Sequence, residues 1–173
     1  TSVWSATGSY LIQSGSATDG AIEIIGTSNG NHSILSDGYT SGGNYQILSR
    51  AGDITLTSTG AATGHGFYLQ GDTYIGQRGN TTSIQSVSPI DSRSYAGAIT
   101  LSTDDNLRTS NRTITLGTAG DIVIKADEIT VSTGLTLGAS GDISILPFGD
   151  DFTAALSIDS KWDFGSAADS LTI

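Results

Sequence analysis

Chemistry has few places to reside in this chain. Its 173 residues include 2 histidines, 17 Asp and Glu, 7 Lys and Arg, and no cysteine. Without Cys there is no thiolate nucleophile, thiolate metal site or disulfide framework. His32 and His65 each sit in a Gly/Asn/Thr-rich stretch with no second His or Cys at ligand spacing, so both read as solvated loop residues rather than metal ligands. The acid pairs Asp104-Asp105 and Asp150-Asp151 raise the chemistry of glycan hydrolysis, which needs two carboxylates about 5–9 Å apart. Neighbours in sequence do not supply that separation, and Asp in turns bonds mainly to backbone. The sequence contains no phosphate-cradling Gly loop, no Gly-x-Ser-x-Gly elbow and no EF-hand loop. The reading is therefore non-enzymatic: no catalytic residue, no cofactor and no metal site is predicted.

Two features point instead to binding and ion chemistry. Tyr39 and Tyr45 flank the loop Ser41-Gly42-Gly43-Asn44, and Phe67 and Tyr68 follow the His65 loop. Aromatic rings beside Asn and Asp suit stacking on a sugar with hydrogen bonds to its hydroxyls, although strand aromatics also serve as packing residues. Tyr39, Tyr45, Phe67 and Tyr68 are the candidate glycan or receptor contacts. Asp121 and Asp142 recur in equivalent contexts, and one strand spacing apart their carboxylates repel. Solvent at an exposed corner relieves that repulsion, and a bound Ca²⁺ relieves it further. Asn31, Asn80 and Asn111 head Asn-x-Ser/Thr triplets, which chance supplies in so Asn/Ser/Thr-rich a chain.

The elements that must position these residues read as strands. Apolar residues alternate in short runs: Ile22/Ile24, Ile54/Leu56, Ile99/Leu101, Ile114/Leu116, Ile122/Ile124, Ile129/Val131, Leu135/Leu137 and Ile143/Ile145. That period of two is the strand signal. Helical stripes are hard to find; Asp151 to Leu156 is the clearest window for a single turn. A Gly-Asp/Ala-Ile-x-Ile/Leu cassette recurs at Gly20, Gly52, Gly97, Gly120 and Gly141, its last two intervals being 23 and 21 residues. A period in the twenties marks a solenoid. In the cassette Gly permits positive φ at a corner, and the Asp that follows it in most copies can bond back to the turn backbone.

The fold class expected is all-β: an elongated β-solenoid with three short strands per coil of about 20 residues, or an intertwined trimeric β-helix or β-prism. Both arrangements stack strands about 4.8 Å apart and remove exposed edges. Residues 1–91 read as an irregular β region in which stretches such as Gly26 to Asn31, Gly38 to Asn44 and Thr57 to Gly66 are loop excursions. Residues 92–146 read as regular repeats. Residues 147–173 read as a C-terminal β cap or the start of a further module, because Pro147 cannot donate to a ladder and must end a strand.

Composition narrows the partners. Charged residues make up 14% of the chain, against about 25% in an average globular protein, and Ser, Thr, Gly and Asn take their surface positions. A net charge of −10 repels phosphate backbones and anionic headgroups, so no nucleic acid and no membrane insertion is expected. No apolar run approaches the roughly 20 residues of a membrane span. The chain opens at Thr1 and contains no Met, which reads as a processed protein or a portion of a longer one.

The run Trp162-Asp163-Phe164-Gly165-Ser166-Ala167-Ala168-Asp169-Ser170-Leu171-Thr172 resembles a Trp-x-Phe-Gly, short turn, Ser-Leu-Thr element of virion structural and tail-fibre-like proteins of tailed bacteriophages, notably those infecting cyanobacteria. It covers eleven residues, and its turn has Ala167-Ala168-Asp169 where those sequences usually place Asp-Gly. The Gly-Asp-Ile-x-Leu cassettes are similar both to phage fibre shafts and to filamentous-haemagglutinin-type adhesins. The first resemblance implies a homotrimeric tail fibre or spike segment in the virion, attaching to a host surface glycan. The second implies an extracellular or cell-surface filament, and a glycan-degrading tailspike domain is a further alternative.

Overall fold

The computed structural model describes residues 10–14, 21–27, 34–36, 44–49, 52–60, 65–69, 72–77, 97–110, 113–165 and 168–173. In chain order the strands are β1 (Tyr10–Ser14), β2 (Ile22–Thr27), β3 (Ile34–Ser36), β4 (Asn44–Ser49), β5 (Ile54–Thr59), β6 (Phe67–Leu69), β7 (Asp72–Gln77), β8 (Ile99–Thr109), β9 (Thr113–Thr118), β10 (Ile122–Val131), β11 (Gly134–Ala139), β12 (Ile143–Leu146), β13 (Trp162–Asp163) and β14 (Leu171–Thr172). No helix occurs among the described residues, and Asp151 to Leu156, the window for a helical turn, is irregular. The protein is all-β.

Two sheets account for most strands. One runs β1-β4-β7-β9-β11-β13, the other β14-β12-β10-β8-β5-β2, and β3 and β6 lie alongside the C-terminal half of β8. Pairing is parallel throughout. β5 pairs with β8, and β12 with β14.

Register aligns the alternating apolar pairs into columns. Ile22, Ile54, Ile99, Ile122, Ile143 and Leu171 stand in one, and Ile24, Leu56, Leu101, Ile124 and Ile145 in the next. In the other sheet Ile12, Ile47, Ile75, Leu116 and Leu137 align, and a third set joins Ile34, Phe67, Leu107 and Ile129. The middle members of these columns are the core, with Ile54, Leu56, Ile75, Ile99, Leu101, Leu116, Ile122 and Ile124 essentially inaccessible. Each such side chain contributes about 1.5–3 kcal/mol by leaving water. β5 shows the plain alternation, its Ile54, Leu56 and Ser58 buried and its three Thr residues partly exposed.

Two differences from the sequence reading have physical causes, and the end of a strand at Pro147 is as expected. The strands expected at Ile122–Ile124 and Ile129–Val131 fuse into the ten-residue β10, and its neighbour β8 is eleven residues long. The junction is a bulge: Ala126 pairs with Thr103 and Glu128 with Asn106, so Asp104 and Asp105 of β8 face Asp127 alone. Thr27 and Thr57–Thr59, expected in loops, extend β2 and β5, where the hydroxyls of Thr27 and Thr59 meet at 3.3 Å. β12 stops at Leu146, the residue before Pro147.

Buried polar residues line one inner corner. Ser58 and Thr103, both fully buried, are register partners. Ser58 Oγ donates to the Gly66 carbonyl at 2.9 Å. A Cβ on Gly66 would lie 1.8 Å from Thr103 Oγ1, so the backbone approaches this pair as closely as it does only because residue 66 is Gly. Beyond Pro147, Thr153 N–H donates to the Asp127 carbonyl at 2.8 Å, and the Trp162 indole donates to Ser157 O at 3.2 Å and stacks on Phe164.

Candidate functional site

The residues with chemistry fall into two groups. The first is a corner column one residue before the Ile column: Asp53, Ala98, Asp121, Asp142 and Ser170. Asp53 Oδ1 accepts the Ala98 N–H at 2.8 Å, Asp121 Oδ1 accepts the Asp142 N–H at 2.9 Å, and the Ser170 hydroxyl donates to Asp142 Oδ1 at 2.6 Å. Each carboxylate thus binds the next row of the column, where the sequence reading had Asp bonding within its own turn. Asp121 and Asp142 are exposed to solvent, and backbone N–H and hydroxyl donors meet their charge as well; no group of three or more acidic or His residues suited to a metal occurs among the described residues.

This contact also explains Gly141, the last of the cassette glycines, and it corrects the conformational reason. Among the described glycines positive φ occurs at Gly60 and Gly165, not at Gly52, Gly97, Gly120 or Gly141. Gly141 is required for space: a Cβ there would sit 2.2 Å from Asp121 Oδ1 and 3.1 Å from the Gly120 backbone. Gly60, at φ 77°, donates its N–H to Asp104 Oδ1 at 3.1 Å, which accounts for Asp104 as a turn fastener. Asp150 and Asp151 are exposed.

The second group lies on the outward side of β6, β8 and β10. Tyr68, Arg108 and Thr130 are register partners, as are Asn106 and Glu128. Arg108 lies 5.6 Å from the centre of the Tyr68 ring, close enough for cation–π attraction, and Tyr68 meets His65 edge-on at 5.0 Å. Arg108 Nη1 approaches His65 Nε2 at 3.4 Å; guanidinium only donates, so in this contact the imidazole nitrogen is the acceptor. Burial and then the Arg108 charge hold the His65 pKa below its ordinary 6.5, against the weaker opposite pull of Asp105 and Glu128. Asn106 Nδ2 donates to Thr130 Oγ1 at 3.2 Å, and Thr130 donates to Glu128 Oε1 at 3.1 Å.

Of the four candidate sugar contacts, Tyr68 alone is placed on this surface. Phe67, its neighbour, is fully buried in the Ile34–Phe67–Leu107–Ile129 column and is withdrawn as a contact: alternation sends one ring of the pair inward. Tyr45 lies in β4, and Tyr39 lies outside the described residues, as does His32. His65 belongs to the patch rather than to a solvated loop. Sequence reasoning missed Asn106, Arg108, Glu128 and Thr130, whose signal was an Arg within an alternating strand in a chain with so few cations. The fold and site define an all-β, parallel-stranded protein with a polar, aromatic-bearing outer patch. Comparison with protein-family models, curated proteins and solved structures finds no match.

Proposed function

We propose that the chain is a β-solenoid segment with a structural and adhesive role, a bacteriophage tail fibre or spike segment in host attachment. The observation that carries this reading is the register of one apolar position, Ile22, Ile54, Ile99, Ile122, Ile143 and Leu171, which repeats row upon row in parallel. Parallel rows whose partners lie one repeat apart are what winding a chain about an axis produces. A continuous ladder around a narrow Ile/Leu core makes unfolding slow and proteolysis difficult, the properties a fibre exposed outside a cell needs. The Trp162 to Thr172 element favours the virion setting.

A second reading, a β-helical segment of a secreted adhesin or surface filament, is favoured by strands that pair in parallel within one chain. Native mass from analytical ultracentrifugation, combined with small-angle scattering, separates the two. An elongated homotrimer supports the fibre and an elongated monomer the adhesin segment. A compact sphere removes both.

A further inference from the structure

Each row of the sheet that runs from β2 to β14 bonds to the next in one repeating pattern. The N–H of the first column residue donates to the carbonyl of the corner residue one row on: Ile22 to Asp53 at 2.8 Å, then Ile54 to Ala98, Ile99 to Asp121, Ile122 to Asp142 and Ile143 to Ser170, each at 2.9 Å. Residues of a parallel strand alternate in the side to which they send N–H and C=O. Ile143 uses Ser170 and Thr172, so Leu171 sends both its backbone groups away from β12. At the other end Ile22 and Ile24 bond toward β5, and Ala21 and Glu23 send theirs away from it. The sheet ends on β14 and β2, with no strand beyond either among the described residues.

The side chains at the two ends correspond as well. Leu171 is the last member of the column that begins at Ile22, and Ile173 follows it in phase with the column of Ile24 and Ile145. Leu171 and Ile173 are 45% and 57% exposed, whereas Ile143 and Ile145 one row back are fully buried. Strand edges are ordinarily blunted by charge or proline, and Leu171, Thr172 and Ile173 carry neither. We infer that this edge receives a second copy of the chain, stacked head to tail with its β2 parallel to β14. The chain's own opposite end supplies the next row: Ser170 faces Ala21 of the second copy, Leu171 faces Ile22, Thr172 faces Glu23 and Ile173 faces Ile24. Leu171 N–H donates to the Ala21 carbonyl, and the Leu171 carbonyl accepts the Glu23 N–H, which continues the pattern within the chain. Apolar residues meet apolar ones in both core columns, and Glu23 brings the only charge to the pairing. The same stacking sets β1 of the second copy over β13, the strands on which the other sheet ends. A head-to-tail contact leaves one open end on each copy, so it extends into a filament without closing.

This inference rests on the solenoid reading above, and its test can fail while that reading stands. Sedimentation of the full chain over a concentration series should show elongated species that grow without a limiting size. Growth should strengthen with salt, because copies of net charge −10 repel until screened. Leu171→Asp and Glu23→Pro should each weaken association about tenfold or more, the first by placing a charge in the core column and the second by removing the outward N–H. Glu23→Pro keeps β2 on β5, whose bonds use Ile22 and Ile24, and circular dichroism checks that both variants fold. Thr100→Asp, which adds the same charge to the outer face of β8, should leave association unchanged. Each edge variant retains one good end, so a mixture of the two should form a species of twice the mass of either alone and no larger. An elongated chain that does not associate up to on the order of 1 mM overturns the stacking and leaves the solenoid intact. A closed species of three copies that neither variant disturbs also overturns it, while supporting the fibre. Protection of the Leu171 amide from hydrogen exchange in the dilute, unassociated chain overturns it as well, because the chain then covers its own edge.

Discussion

Replacing Gly141 by Ala tests whether the corner column is held by carboxylates reaching between rows. The new Cβ would stand 2.2 Å from Asp121 Oδ1, so the carboxylate must swing out by more than an ångström and release the Asp142 N–H it accepts at 2.9 Å. A hydrogen bond to a charged acceptor is worth about 1.5–3 kcal/mol, and exposure of this one places it at the lower end. The 3.1 Å approaches to the Gly120 carbon and oxygen add a smaller steric cost. Ala restricts the unfolded chain and returns about 0.4–1 kcal/mol. The net expectation is a loss of about 1–2 kcal/mol. Equilibrium denaturant unfolding measures it, and a cycle with Asp121→Ala isolates its cause. In the Asp121→Ala background the same Gly141→Ala change should cost at least about 1 kcal/mol less, because the atom it displaces is gone. An unchanged cost in both backgrounds, or a stabilising Gly141→Ala, would refute the reasoning. Gly149→Ala is the control: a Cβ there meets nothing within 4 Å, and its effect should stay within about 0.5 kcal/mol.

Gly66→Ala should be worse than Gly141→Ala, by denaturant midpoint, at about 3 kcal/mol: its Cβ falls 1.8 Å from Thr103 Oγ1 and 2.8 Å from Thr103 Cβ, in a corner already filled by Ser58. Leu101→Ala, in the buried column between Leu56 and Ile124, should cost about 2–5 kcal/mol, whereas Ser102→Ala beside it should cost less than about 0.5 kcal/mol in the same assay. Because burial holds the His65 pKa below its ordinary 6.5, the unfolded chain binds this proton more readily than the folded one. Stability from this group is therefore complete above about pH 6.5 and declines as pH falls through that value toward the lower folded pKa. The decline should be smaller in His65→Gln, compared by melts at pH 7.5 and pH 5.

How much was legible in advance follows from the range of each interaction. The strand at Ile54–Leu56 and the stop at Pro147 depend on neighbouring residues, and both are visible in a window of a few positions. The fusion of two expected strands into β10 was not, because it depends on β8 lying alongside with a bulge opposite Asp127. The Phe67–Tyr68 pair shows the limit most clearly. Two adjacent aromatics satisfy the alternation in either phase, and only the column of Ile34, Leu107 and Ile129 decides that Phe67 goes in and Tyr68 out.

By itself the sequence determined an all-β chain of short alternating strands, acidic and without thiol chemistry, because period, turn residues and composition are local or summed properties. The tertiary structure decided which strands meet, and with that the reason for Gly141, the partner of Asp121, and the meeting of His65 and Tyr68 with Asn106, Arg108 and Glu128. Those groups are brought together across gaps of twenty to more than forty residues by parallel register. Register is fixed by the fit of whole columns of side chains, and no single stretch of the chain carries it.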